Sequence, residues 1–275
     1  MPNILTRAIS GAIYVALLLG CLILSPRVAF AILMLVFSIF GAIEYSRMTG
    51  SKSTLLRLFD IVATALPPFF VLMAVKATGL STTTIAWGAG SVCFLYPFFR
   101  MGAQLYVKSP APLEDAARGC LGVYYIGIAL ASAAMAAQLA PAVVILMFVM
   151  IWLNDTGAYL VGCRWGRTKL FERISPKKTW EGAAGGALFA MAAGVAAPLL
   201  PGDLFHFGSV AGLLLGLAVC VAGTIGDLVE SMIKRQEGVK DSGNLIPGHG
   251  GILDRIDSLL FAAPVTLIFI MLILR

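Results

Sequence analysis

Charge is what this chain has least of. Asp, Glu, Lys and Arg make up 12% of its 275 residues, against about 25% in a typical soluble domain, so a water-exposed globular surface is excluded. Histidine occurs twice, and the five cysteines (21, 93, 120, 163 and 220) show no C-x-x-C spacing. Neither a zinc site nor a disulfide framework is therefore indicated. There is no G-x-x-x-x-G-K-[ST] phosphate loop. The first apolar run is longer than the roughly 7–15-residue core of a secretory signal and ends in Ser25-Pro26-Arg27 without a small-x-small cleavage site. No Arg- and Ser-rich transit segment precedes it. No basic domain stands apart from the apolar runs, so no nucleic-acid partner is expected.

What is present is hydrophobic length. Apolar residues make up 59% of the chain and the mean hydropathy is +0.92. A bilayer core of about 30 Å needs about 20 helical residues at roughly 1.5 Å each. Runs near 8–25, 28–46, 58–76, 82–99, 119–138, 141–162, 181–200, 208–228 and 256–274 meet or approach that length. They are continuous rather than alternating, which selects helices over a β-barrel. The expected fold is all-α, a polytopic transmembrane helical protein of about nine spans. The third run, broken by Pro67-Pro68, and the fourth, opening Ser81-Thr82-Thr83-Thr84, are the weakest of the set.

Basic residues orient the spans. With nine of them, one side holds the N-terminus and the loops near 47–57, 100–118, 163–180 and 229–255, and carries 17 of the 20 Lys and Arg; Arg27, Lys76 and Arg275 fall opposite. By the positive-inside rule that side, N-terminus included, is cytoplasmic. The net charge of +6 is then a cytoplasmic surface charge facing the lipid bilayer, with each base contributing about 1 kcal/mol of attraction to anionic headgroups. Residues 1–140 are apolar with ordinary loops and read as transmembrane scaffold. Residues 141–275 carry acids inside apolar runs and two polar loops, and read as the catalytic region.

The densest polar stretch runs from Ser231 to Asp257, with eight charges, one His and five Gly in 27 residues. Asp227 closes the run before it, and an acid within a span is by default a functional candidate. Glu230, Ser231 and Lys234 follow at i+3, i+4 and i+7, on or beside its helical face. Oxygen ligands on one face suit Mg²⁺, which uses one or two carboxylates and keeps waters and substrate phosphates; the same Asp equally marks where a helix meets water. Asp254 and Asp257 open the last span three residues apart, where acids are also ordinary helix-dipole partners. Asp227 and Asp254 are the expected metal ligands. Between them, Gly250 and Gly251 allow backbone N–H groups to approach phosphate oxygens, although Gly clusters also make plain turns. Lys234, Arg235, Lys240 and Arg255 are phosphate-binding candidates, and His249 is a hydrogen-bond donor to phosphate or loop backbone.

A second group lies upstream. Asn154-Asp155 falls late in the sixth span, and the next loop carries Ser175-Pro176-Lys177-Lys178-Thr179-Trp180-Glu181-Gly182. An acid inside an apolar run needs a partner, and a base from this loop is the nearest source. Ser175-Pro176 with Glu181 also reads as a helix start, and Trp180 as an interfacial residue.

Together these residues resemble one family. Ser231-x-Ile233-Lys234-Arg235, Lys240-Asp241-x-Gly243 and Ile246-Pro247-x-His249-Gly250-Gly251-Ile252-x-Asp254-Arg255-Ile256-Asp257 are similar to the signature of phosphatidate cytidylyltransferases (CDP-diacylglycerol synthases), and the blocks at 154–159, 175–182 and 226–231 are similar to that family too. The resemblance covers roughly residues 150–260. It implies transfer of the cytidylyl group of CTP to phosphatidic acid, giving CDP-diacylglycerol and pyrophosphate. It also implies a Mg²⁺ cofactor, with or without a second cation, and a membrane homodimer. By position, Asp227 and Asp254 hold metal with Ser231 beside them, and Asp155, Asp241 and Asp257 support metal or substrate. Lys234, Arg235, Lys240, His249 and Arg255 hold phosphates, joined by Lys177 and Lys178, with Asn154, Thr179, Gly250 and Gly251 in the substrate-binding set. The expected location is a bacterial inner (cytoplasmic) membrane, multi-pass, with the active site facing the cytoplasm.

Two other functions share some of these features. A cation-coupled membrane transporter also uses intramembrane acids and broken helices, but it requires polar groups at midplane on several helices, whereas here they cluster at one side of the second half. A CDP-alcohol phosphatidyltransferase requires a D-G-x-x-A-R…D…D pattern that this chain does not contain.

Overall fold

Inside a bilayer a lone strand leaves its backbone polar groups unsatisfied, whereas a helix satisfies them internally; each of the nine apolar runs forms a helical rod. The computed structural model describes residues 4–50, 53–76, 82–202, 204–246 and 250–273. The first four rods are α1 (Ile4–Leu24), α2 (Ala29–Thr49), α3 (Thr54–Lys76) and α4 (Thr82–Gln104). The fifth is one continuous rod made of α5 (Pro112–Gly122), a π-helical stretch (Val123–Ile128) and α6 (Ala129–Leu139). Then come α7 (Pro141–Trp165), α8 (Trp180–Ala196), α9 (Ser209–Gln236) and α10 (Leu253–Ile273). Among the described residues seven rods are long and apolar enough to cross a membrane: α2, α3, the rod 112–139, α7, α8 extended to Leu199, α9 and α10. Ala8–Leu24 of α1 is a shorter apolar helix. The protein is an all-α polytopic membrane protein. Its loop before α8 folds as a small antiparallel hairpin, β1 (Lys169–Phe171) with β2 (Ser175–Thr179), where the sequence suggested plain loop.

The chain packs as two units, one of residues 1–138 with 241–255, the other of 139–240 with 256–275. This division by packing differs from the division by residue character: the Gly-rich segment 241–255 packs with the first half of the chain.

In the first unit, prolines free carbonyls and side chains from neighbouring helices satisfy them. Pro68 lacks the N–H that would reach the carbonyl of Thr64, and the buried Ser38 hydroxyl donates to that oxygen at 2.8 Å. Pro97 likewise frees Cys93, whose carbonyl accepts from the Tyr124 hydroxyl at 2.8 Å. Helices α3 and α4 therefore run unbroken through their prolines, where an isolated helix would kink or end. A buried ion pair ties them further: Arg100 Nε donates to Asp60 Oδ1 at 2.8 Å, and the Tyr96 hydroxyl donates to the same oxygen at 2.5 Å. The Arg100 guanidinium also reaches Gln104 Oε1 (2.7 Å) and the Asp115 carbonyl (3.2 Å). Arg100 is thus a fully buried residue of α4, not a base on a loop surface as the span boundaries suggested.

The second unit is built on close helix contacts. Gly194 of α8 and Gly212 of α9 meet backbone to backbone, and Gly157 of α7 lies against Gly185 of α8. Small residues at crossings let apolar helices pack without a solvent-driven force. Thr179 caps α8, its hydroxyl accepting from Gly182 N at 3.2 Å. The Glu181 carboxylate accepts from Arg167 N and Thr168 N at 3.1 Å, which fastens the residues just before the hairpin to the helix start. The eighth rod ends later than its apolar run: α9 continues to Gln236, so Ser231, Lys234 and Arg235 are helical. Asp227 stands well inside α9 rather than closing it. An i,i+4 pair, Lys234 Nζ to Glu230 Oε2 at 2.8 Å, supports this polar extension.

Candidate active site

In the second unit the sequence-selected residues gather on α9 and the hairpin. Asp227 accepts on both carboxylate oxygens: Ser231 Oγ donates to Oδ1 at 3.3 Å, and the Lys178 ammonium lies 2.6 Å from Oδ2. The i+4 relation expected from the sequence thus becomes a real contact. The loop base expected to serve Asp155 is here placed on Asp227. Both members of the ion pair are about one-third exposed.

The first turns of α10 supply a third acid. Gly226 brings the α9 backbone against the carbonyl of Asp257, an approach that any Cβ would block. Asp227, Asp155 and Lys234 are consequently the charged neighbours of the Asp257 carboxylate, which also accepts from Ser258 N at 2.6 Å. Glu230 points inward at 1% exposure. Lys177, Arg235 and Lys240 are exposed, with Arg235 also donating to the Val239 carbonyl at 3.4 Å. Asn154 and Thr179 are placed differently. Asn154 is buried, Gly186 lies against it, and its Oδ1 accepts from the Cys220 thiol at 2.9 Å; Thr179 spends its hydroxyl on the α8 cap.

In the first unit the Gly-rich segment wraps two carboxylates. Asp254 Oδ2 accepts from Ser242 N (2.9 Å), Ser242 Oγ (3.0 Å) and Gly251 N (2.8 Å). Glu44, projecting from α2, accepts from Ile252 N and Leu253 N, both at 3.0 Å, and from Ser242 Oγ at 3.2 Å. These are the N-terminal amides of α10 that would otherwise lack partners. Gly250 has φ of +80° and a bridge to Ile246, the conformation that turns the chain back over Asp254. The sequence suggested that the Gly250 and Gly251 amides approach phosphate; the structure gives that of Gly251, along with those of Ser242, Ile252 and Leu253, to protein carboxylates. Asp241 and Arg255 are exposed, the Arg255 carbonyl accepting from the Tyr14 hydroxyl at 3.0 Å. His249 lies outside the described residues.

Glu44 is the residue that sequence reasoning missed. An acid late in the second apolar run was the available signal, but nothing local names partners some 200 positions away.

The donor chemistry fits a hard cation. Asp227 already holds a positive group, the Lys178 ammonium, and the acids around it offer only oxygen. Among the described residues no three His, Cys, Asp or Glu side chains form a ready ligand cluster. One or two carboxylates, completed by water and phosphate oxygens, is the coordination Mg²⁺ prefers.

Comparison with known proteins extends what the residues indicate. A stretch of 138 residues is 49% identical to the phosphatidate cytidylyltransferase of Synechocystis sp., covering 48% of this chain and 44% of that protein. Over 119 residues the identity to the Bacillus subtilis protein of that name is 50%, covering 42% of each. Over 169 residues it is 42% to the Staphylococcus aureus one, covering 61% and 64%. The chain thus spans about half the length of the first of these relatives. None of this favours a transporter. The model of the cytidylyltransferase family matches residues 5–273, and with the match running along almost the whole sequence, the chain belongs to the cytidylyltransferase family.

Proposed function

We propose that this protein transfers the cytidylyl group of CTP to phosphatidic acid, giving CDP-diacylglycerol and pyrophosphate for phospholipid synthesis. The observation that carries the reading is the α9 carboxylate Asp227, held by Lys178 and Ser231 at a partly exposed position in a membrane-spanning chain of this family. The names of the relatives supply the substrates, and the lysine-rich surroundings suit a triphosphate and a phosphate monoester.

The chemistry asks little of a general base. A phosphate monoester has its second pKa near 6, so phosphatidate is largely dianionic at neutral pH. One of its oxygens attacks the α-phosphorus of CTP, the bond from that phosphorus to the β-bridging oxygen breaks, and pyrophosphate leaves with the electron pair. The obstacles are repulsion between two polyanions and the charge developing on the leaving group. Lys177, Lys178, Lys234, Arg235, Lys240 and Arg255 are the proposed donors that neutralise and orient those oxygens. Asp227 and Asp254 are the proposed Mg²⁺ ligands, with Asp155, Asp241 and Asp257 in support. Mg²⁺, when bound, supplies charge neutralisation on phosphate oxygens. Lys178 is poised to exchange Asp227 for a phosphate, because its partner is a carboxylate that a cation can take over. The basic excess on the same side of the spans supports a cytoplasmic site in a bacterial inner membrane.

The test uses the purified full chain in detergent micelles with CTP, phosphatidate and Mg²⁺. The expected result is pyrophosphate released in step with a cytidine-containing lipid, dependent on phosphatidate. Pyrophosphate release that ignores the lipid, or no lipid product at all, would refute the proposal.

A further inference from the structure

Glu44 is an acid held at 5% exposure in an apolar helix. Its burial is compensated by three donors, all from the segment that carries Asp254. Two are the backbone amides of Ile252 and Leu253, one on each carboxylate oxygen. The third is Ser242 Oγ, which sits 3.2 Å from Glu44 Oε2 and 3.0 Å from Asp254 Oδ2. A hydroxyl carries a single hydrogen, so Ser242 is shared between the two acids and couples their positions. Gly243 and Gly251 both lie directly against the Glu44 carboxylate, which shows how closely the turn is moulded around it. Ser242 N, Ser242 Oγ and Gly251 N all donate to Asp254 Oδ2, which anchors that oxygen.

We propose that Glu44 is a positioning residue for Asp254: its carboxylate ties Ser242 to the Ile252 and Leu253 amides that open α10, so that Asp254 is held in one orientation toward a divalent cation. This rests on the reading of Asp254 as a Mg²⁺ ligand. Groups that orient a metal ligand typically change metal affinity by about 10–100-fold when removed. Glu44→Gln keeps the volume but sets an NH₂ group where N–H and O–H donors converge, which opens the clamp without leaving a cavity. A group that merely caps α10 would move stability and leave metal affinity unchanged.

The experiment measures Mn²⁺ binding by electron paramagnetic resonance on the purified full chain in detergent, without CTP or lipid, alongside thermal unfolding. Glu44→Gln is expected to weaken Mn²⁺ binding about 10–100-fold in protein that still folds, at a lowered unfolding temperature. Ser242→Ala, which leaves the four amide bonds in place, is expected to weaken it by a smaller, several-fold factor, and it decides the matter if Glu44→Gln does not fold. Mn²⁺ affinity in the folded variants equal to wild type overturns the proposal, as does a wild-type protein that binds no Mn²⁺. Because binding is read without substrates, the comparison stands whether or not cytidylyl transfer is found. Failure of the CTP assay would strike the functional reading alone.

Discussion

Replacing Lys178 with Met separates two roles whose magnitudes differ widely. As an ion pair, Lys178 and Asp227 are 2.6 Å apart with side chains 28% and 33% exposed. Exposed pairs contribute about 0.2–1 kcal/mol after solvent screening. For a chain of this size that moves the unfolding midpoint by no more than about 4 °C. As a donor to a phosphate in the transition state, one fixed positive group contributes about 2.7–4 kcal/mol, or roughly 10²–10³ in rate. Lys178→Met is therefore expected to unfold close to the wild-type temperature while kcat/KM for CTP falls about 100-fold. Its Mg²⁺ requirement should not rise, because Asp227 loses a competing cation. The assay varies CTP at saturating phosphatidate and Mg²⁺ in micelles and reads lipid-linked cytidine. A variant with near-wild-type kcat/KM would show that Lys178 serves the ion pair alone. A loss of folding comparable to the loss of rate would refute the division of magnitudes.

Asp227→Asn and Asp254→Asn should each lower turnover by at least about 100-fold and raise the Mg²⁺ needed for half activity; near-wild-type turnover at saturating Mg²⁺ in either would remove that residue from the metal. Arg100→Met leaves Asp60 as a buried charge without its base, an expected loss of about 3–5 kcal/mol seen as a lower unfolding temperature. The double change Asp60→Asn with Arg100→Met should recover part of that loss, and a stable single variant would contradict it. Ser38→Ala withdraws the hydroxyl that serves the Thr64 carbonyl opposite Pro68. It should destabilise by about 1–3 kcal/mol without altering the Mg²⁺ requirement, and an unchanged unfolding temperature would show the carbonyl satisfied otherwise.

The rods were legible because hydrophobic length is a local property, and each of the nine apolar runs coincides with a helical rod. Their ends were less so. Helix α9 outlasts its apolar run because Glu230 and Lys234 sustain it by an i,i+4 pair, and hydropathy ignores such support. Pro67-Pro68 looked like a break because the sequence does not reveal that Ser38, in another helix, serves the freed carbonyl. The hairpin at 169–179 was invisible: its strands of three and five residues carry four charged or Pro positions and no alternating apolar pattern. In the site, Asp227 with Ser231 followed from helical spacing, and Lys178 from the need of an intramembrane acid for a base, although it pairs with Asp227 rather than Asp155. The Gly-rich turn misled on one point. The Gly250 and Gly251 amides suggested phosphate, but that of Gly251 goes to Asp254, while the neighbouring Ile252 and Leu253 amides go to Glu44 from a distant helix.

Phosphorus labelling tests cytidylyl transfer most directly. The purified chain is given phosphatidate, Mg²⁺ and CTP labelled in either the α- or the γ-phosphate. Transfer of the cytidylyl group places the α-label in the lipid product and the γ-label in pyrophosphate. A γ-label in the lipid, or an α-label that stays water-soluble while CTP is consumed, would contradict it.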